Sequence, residues 1–92
     1  MIQLYKMCNV PPRRVLAAAV GYFGPDGLDL ERTGSTATSL TFEGGGGFVT
    51  VEALPSETGA AKSRVEISAR EWEQHARRFL QNLDAANRRG SN

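Results

Sequence analysis

The stretch TFEGGGGFVTVEAL, residues 41–54, sets four glycines between two short runs of alternating apolar and polar residues. Glycine runs of this kind serve two ends. They cradle phosphates where a strand passes into a helix, with Lys and Ser or Thr following. They also supply the positive φ that tight β-hairpins require. Here Phe48-Val49-Thr50-Val51 follows, a strand-like run, and no Lys or Arg stands between Arg32 and Lys62. A dinucleotide fingerprint fails as well, because no helix opens after the glycines. Residues 41–54 therefore read as two antiparallel strands joined by a glycine hairpin. Four glycines exceed what a two-residue turn needs. That excess keeps a mobile flap over a ligand site as the second reading of Gly44–Gly47.

Outward from the hairpin the alternation continues. TATSLTFE puts Thr38, Leu40 and Phe42 on one face, and Ser39, Thr41 and Glu43 on the other. FVTVEAL puts Val49, Val51 and Ala53 inward, and Phe48, Thr50 and Glu52 outward. PSETGAA is a polar loop, after which KSRVEISA points Val65 and Ile67 inward and Arg64, Glu66 and Ser68 outward. On the other side, LDLER pairs Leu28 with Leu30 against Asp29 and Glu31, and Thr33-Gly34-Ser35 forms a turn. MIQLYKMCNV opens the chain as a strand: Ile2, Leu4, Cys8 and Val10 share one parity, interrupted by Lys6, and Met1, Gln3, Tyr5 and Met7 share the other.

Two helices complete the pattern. Pro11-Pro12 ends the first strand and suits a helix start, where a missing N–H costs nothing. RRVLAAAVGYF then carries an apolar stripe of Val15, Leu16, Ala19, Val20 and Phe23, stopped by Gly24-Pro25-Asp26-Gly27. Ser68-Ala69-Arg70-Glu71 matches a capping box. Trp72, Ala76, Phe79, Leu80 and Leu83 follow at helical spacing, with Glu73 and Arg77 paired four apart. The expected fold class is α+β: a single antiparallel sheet of about five strands in the order β-α-β-β-β-β-α, both helices on one face. Residues 1–86 form one domain, and 87–92 form a flexible C-terminal tail.

Composition bounds the function. The 92 residues carry a net charge of +1, which gives no global field to draw in nucleic acid or an anionic membrane. No apolar run approaches the ~20 residues of a membrane span. Val15–Val20 is too short to serve as a signal peptide, and a single cysteine, Cys8, forms no disulfide within the chain. A reducing cytoplasm fits best. With Cys8 and His75 as the only soft-metal ligands, no structural zinc site and no cofactor are expected.

The element order resembles the TATA-box-binding-protein-like fold, one copy of which also forms the core of the helix-grip family (START and Bet v 1-like). GAAKSRVEISAREWEQHARRFLQNL is similar to the last strand and long closing helix of a helix-grip domain. The resemblance is to half-size uncharacterised bacterial domains of this kind. It implies a binding function, with the family's cavity reduced because the extra strands and helices are missing here. It carries no catalytic motif.

No enzyme is expected. His75 falls at the edge of the last helix's stripe, as a boundary histidine. Cys8 falls among core residues, and no nucleophile elbow appears. Glu43 and Glu52 approach each other across the hairpin in one register, as solvated charge or as an acid–base pair. The open face carries Asp29, Glu31, Glu43, Glu52 and Glu66 against Arg64 and Arg32, so nucleic acid is disfavoured. The other arginines, Arg70 among them, fall on helices and tail. Two binding readings remain. In the first, Tyr5, Met7 and Phe48 form an apolar patch on the polar face, for a homodimer or another protein partner. In the second, a small apolar ligand sits between the last helix and the sheet, against Trp72, Phe79, Leu80 and Phe42.

Overall fold

The computed structural model describes residues 1–57 and 59–90, and side chains other than those of 59–61 and 84–90. The elements are β1 (Ile2–Cys8), α1 (Pro12–Phe23), β2 (Glu31–Ser35), β3 (Ser39–Gly44), β4 (Gly47–Ser56), β5 (Gly59–Arg70) and α2 (Glu73–Gly90). The strands form one antiparallel five-stranded sheet in the order β1-β5-β4-β3-β2. The first and second strands thus sit at opposite edges, and the chain crosses the whole sheet between them. α1 makes that crossing, packing on β3, β4 and β5, while α2 lies over β1 and β5 and touches α1.

The inner parity of every long strand faces the helices. Cys8, Val65, Ile67, Ala69, Val49, Val51, Ala53, Leu40 and Phe42 are buried in one cluster with Val15, Ala19 and Phe23 of α1 and Ala76, Phe79, Leu80 and Leu83 of α2. Phe23 sits at its centre, its ring 5.7 Å from Phe42 and 5.3 Å from Phe79. Burying side chains of this size stabilises the fold by about 1.5–3 kcal/mol each. Lys6, the exception to the parity of β1, lays its stem along the inner face and donates from Nζ to the Leu80 carbonyl at 3.2 Å. Ser63 is the buried polar side chain of this core, and its hydroxyl donates to the Val10 carbonyl, tying the link between β1 and α1 to β5.

The helix ends are closed locally. Pro11 caps α1, its carbonyl accepting from Arg14 and Val15 at 3.0 and 3.2 Å. The loop after α1 folds back to satisfy the last carbonyls: Gly24 donates to Val20, Leu28 to Tyr22 and Leu30 to Phe23. Val20, expected in the stripe, faces solvent and is 37% exposed.

Five local expectations are corrected. Leu28–Leu30 is loop, with Asp29 at φ 59, and the strand starts at Glu31. Thr33-Gly34-Ser35 lies within β2, with a bulge between Arg32 and Gly34, and the turn falls at 36–38. Ser68 and Arg70 belong to β5, so no capping box forms. Ser68 is paired on both sides, with Gln3 and Thr50, and two ladders outweigh one cap. The polar loop 55–61 is mostly strand, with Leu54 facing Arg64 and Pro55 facing Ser63. Pro55 is tolerated because β3 ends its pairing at Ser39–Glu52, so the missing N–H has no partner to lose. α2 runs to Gly90, past the expected start of the tail at 87, and residues 91–92 lie outside those described.

The hairpin answers the question its glycines pose. Gly45 and Gly46 have φ 58 and 82, both positive, as a two-residue I′ turn requires. The flanking pair serves a different need. A Cβ on Gly44 would lie 2.6 Å from Leu30 Cδ2, and one on Gly47 2.1 Å from the Arg70 carbonyl oxygen. All four are therefore accounted for by one turn and two close approaches. The turn is also pinned: the Trp72 indole N–H donates to the Gly44 carbonyl at 2.9 Å.

Candidate functional site

The outer face of the sheet is laid out in cross-strand rows. Met7, Arg64 and Leu54 form the first. Tyr5, Glu66, Glu52 and Ser39 form the second. Gln3, Ser68, Thr50 and Thr41 form the third, a hydroxyl belt in which Thr41 and Thr50 Oγ1 atoms lie 3.1 Å apart. Arg70, Phe48, Glu43 and Glu31 form the last. This register separates the three residues expected to share a patch. Tyr5 and Met7 are neighbours on β1, 64% and 57% exposed. Phe48 faces Arg70, which is four positions along β5 from Glu66, the partner of Tyr5. It therefore sits about 13 Å along the strand direction and two strands away. Phe48 is half-buried beside Glu43 and does not join the patch.

Among the described residues, most of the large exposed apolar side chains belong to β1 or lead into it. Met1 leads into the strand and is 74% exposed, and Met7 continues into Leu54 and Pro55. There a surface groove of about 490 Å³ is lined by Met7, Leu54, Pro55, Ser56, Glu57 and Arg64. The sequence reading puts Arg64 on the open face and gives Leu54 no face, and it sets neither beside Met7 because that adjacency depends on register alone.

Two pairs of carboxylates stand directly opposite each other, Glu52 with Glu66 and Glu31 with Glu43. The expected approach of Glu43 to Glu52 is not made, since Glu43 faces Phe48 and Glu52 faces Ser39. Thr33 donates to Glu43 Oε2 at 2.6 Å. Asp29 lies in the loop before β2, and Arg70 lies on the sheet instead of a helix.

Three of the residues expected to line an apolar pocket belong to the core cluster, and Trp72 packs against it. Phe42 and Phe79 are 1% and 2% exposed and Leu80 is buried with them, so their rings fill the core. Trp72 precedes the first turn of α2 and accepts there from the Ala76 amide at 3.0 Å, while its indole covers the hairpin. A groove of about 380 Å³ that reaches Phe42 opens between the end of α1 and β2, lined by Val20, Pro25, Leu30 and Arg32. A smaller one of about 140 Å³ reaches Phe79 between the helices.

His75 stands half-buried between the helices, with Nδ1 3.3 Å from the Tyr22 hydroxyl and its ring beside Trp72 and Tyr22. This contact holds α1 to α2. Cys8 is buried. Among the described residues no three of His, Cys, Asp and Glu gather to hold a metal ion, and no helix is long and apolar enough to cross a membrane. No family model, no curated protein and no solved structure matches the chain.

Proposed function

We propose that this chain is a small non-catalytic binding domain that acts by self-association, with β1 and the adjoining strip of the outer face as its working surface. The observation that carries the reading is the clustering of exposed apolar side chains. Of the four large ones among the described residues, Met1, Tyr5 and Met7 belong to β1 or lead into it, and Val20 lies elsewhere. Removing each from water stabilises an assembly by up to about 1.5–3 kcal/mol. A chain of this size buries a modest fraction of its surface alone, so the gain is large relative to its own stability.

Binding is favoured over catalysis by where the reactive side chains stand. His75 is engaged with Tyr22, Cys8 is in the core, and the paired carboxylates lie on the outer face of the sheet. The element order and the β1-β5-β4-β3-β2 sheet support the resemblance to the TATA-box-binding-protein-like topology, which carries no activity with it.

Light scattering after size exclusion, across a concentration series, tests the reading. The wild-type mass is expected to rise to twice that of the monomer, and Tyr5→Glu is expected to stay at the monomer mass. A wild type that remains monomeric at high concentration overturns the proposal.

A further inference from the structure

We infer that the partner is a second copy seated edge to edge, with β1 paired antiparallel to its own copy about a two-fold axis through Tyr5, so that the two sheets become one. This inference rests on the self-association proposed above and specifies its geometry.

Three observations select the β1 edge. β1 ends the strand order, so every second residue turns its N–H and C=O away from β5. It pairs with β5 over all seven residues without a bulge and holds no proline. The opposite edge is protected: β2 is five residues long, exposed throughout, charged and bulged. Stacking the outer faces on each other is disfavoured instead, because it would bury the Glu52–Glu66 and Glu31–Glu43 pairs.

Charge and side-chain parity then select the register. Lys6 is the only charged residue of β1, with its ammonium held at the Leu80 carbonyl. An axis through Lys6 would set it against its own copy, a like-charge pair that destabilises. An axis through Tyr5 sets Lys6 opposite Leu4 of the second copy, and it pairs the whole of Ile2–Cys8 with nothing left over. It places Tyr5 on Tyr5 and Gln3 on Met7. Met1 of one copy then becomes the diagonal neighbour of Met7 in the other, within reach of a long side chain. The three exposed apolar residues thus close into one stripe. Registers that pair odd with even residues would break it, by setting the inner face of one copy beside the outer face of the other.

Cysteine cross-linking under oxidised glutathione tests the register, with Cys8 left in place because it is buried. Opposed Cα atoms in an antiparallel pair lie about 4.5–5.5 Å apart, within the range a disulfide spans. Gln3, Tyr5 and Met7 are all exposed, so the variants keep the fold. Tyr5→Cys is expected to run as a covalent dimer on a non-reducing gel. Gln3→Cys and Met7→Cys are each expected to stay monomeric on that gel, and to cross-link when mixed. A wild type that is dimeric by light scattering while Tyr5→Cys stays uncross-linked overturns the register and leaves self-association standing. A Gln3→Cys chain that cross-links to itself also overturns it, by placing the axis elsewhere. A wild type that is monomeric at every concentration overturns both.

Discussion

The two edges of this sheet solve the same problem in opposite ways. β2 presents Glu31-Arg32-Thr33-Gly34-Ser35, five exposed residues with a bulge in the middle and no apolar side chain to bury. β1 presents seven residues in unbroken register, with Cys8 buried, Ile2, Leu4 and Lys6 half-buried, and Gln3, Tyr5 and Met7 in the open. Short, charged and bulged edges resist strand addition, whereas long, regular, apolar ones invite it. On the proposed reading, the unprotected β1 edge is the one that pairs. The two edges also depend on different supports. β2 hangs on β3 and the glycine hairpin beneath Trp72, while β1 is held by β5 and α2 and, in the proposed assembly, by its own copy.

The largest expected effect breaks the support of β2. Trp72→Ala removes a part-buried indole and its hydrogen bond to Gly44, and should cost about 3 kcal/mol of stability. Hydrogen exchange should quicken first in β2 and β3 while β1 stays protected. Trp72→Phe keeps most of the packing and should cost about 1 kcal/mol in urea unfolding. Equal loss of protection at both edges would show that the hairpin anchor supports the whole sheet.

Next comes the association itself. Tyr5→Glu should weaken the dimer by about 2–3 kcal/mol, roughly 30–150-fold in dissociation constant, by sedimentation equilibrium. Its effect on monomer stability should stay within about 0.5 kcal/mol, because Tyr5 is 64% exposed. Thr33→Glu, the matching change at the other edge, should leave the mass unchanged. A loss of association from Thr33→Glu would mean that the wrong edge has been assigned.

Smaller again is the turn. Gly46→Ala meets open space, so its cost is that of φ 82 alone, about 1 kcal/mol. Gly45→Ala at φ 58 adds a contact 3.1 Å from Trp72 Cζ2 and should cost more. If the two variants unfold alike in urea, the indole does not rest on the turn as tightly as the structure places it.

Much of the architecture was legible in the alternation of particular residues. Leu40, Phe42, Val49, Val51, Val65 and Ile67 all face the core on the parity their spacing indicates, because a one-sided sheet ties face to period two. Ala76, Phe79, Leu80 and Leu83 line α2 for the corresponding reason at period 3.6. What escaped depends on partners distant in sequence. β2 carries no hydrophobic pattern, since nothing covers it and only its ladder with β3 makes it a strand. Ser68-Ala69-Arg70-Glu71 satisfies a local helix-start rule, yet two neighbouring strands claim Ser68. Trp72 falls on the helical spacing and instead turns back to the hairpin. Phe48 shares the outer parity of Tyr5 and Met7, but parity gives the face and not the row, and the row is what a patch requires.

The smallest expected effect compares the like-charge pairs that adjoin the two edges. Glu52 and Glu66 are half-buried in the row that ends on Tyr5, whereas Glu31 and Glu43 are exposed, and Thr33 donates to Glu43. Like charges directly opposite destabilise by about 0.2–1 kcal/mol, and water screens an exposed pair more fully. Glu66→Gln should therefore stabilise the monomer by about 0.5 kcal/mol in low salt, and Glu31→Gln by less. Urea unfolding at two salt concentrations checks this, with the advantage of Glu66→Gln shrinking as salt rises. The same variant bears on the interface. The carboxylate of Glu66 stands beside Tyr5, so each copy brings one to the proposed two-fold axis, and neutralising both should tighten the dimer as well as the fold. A variant that gains stability without gaining association would place the axis away from Tyr5, even if β1 remains the edge that pairs.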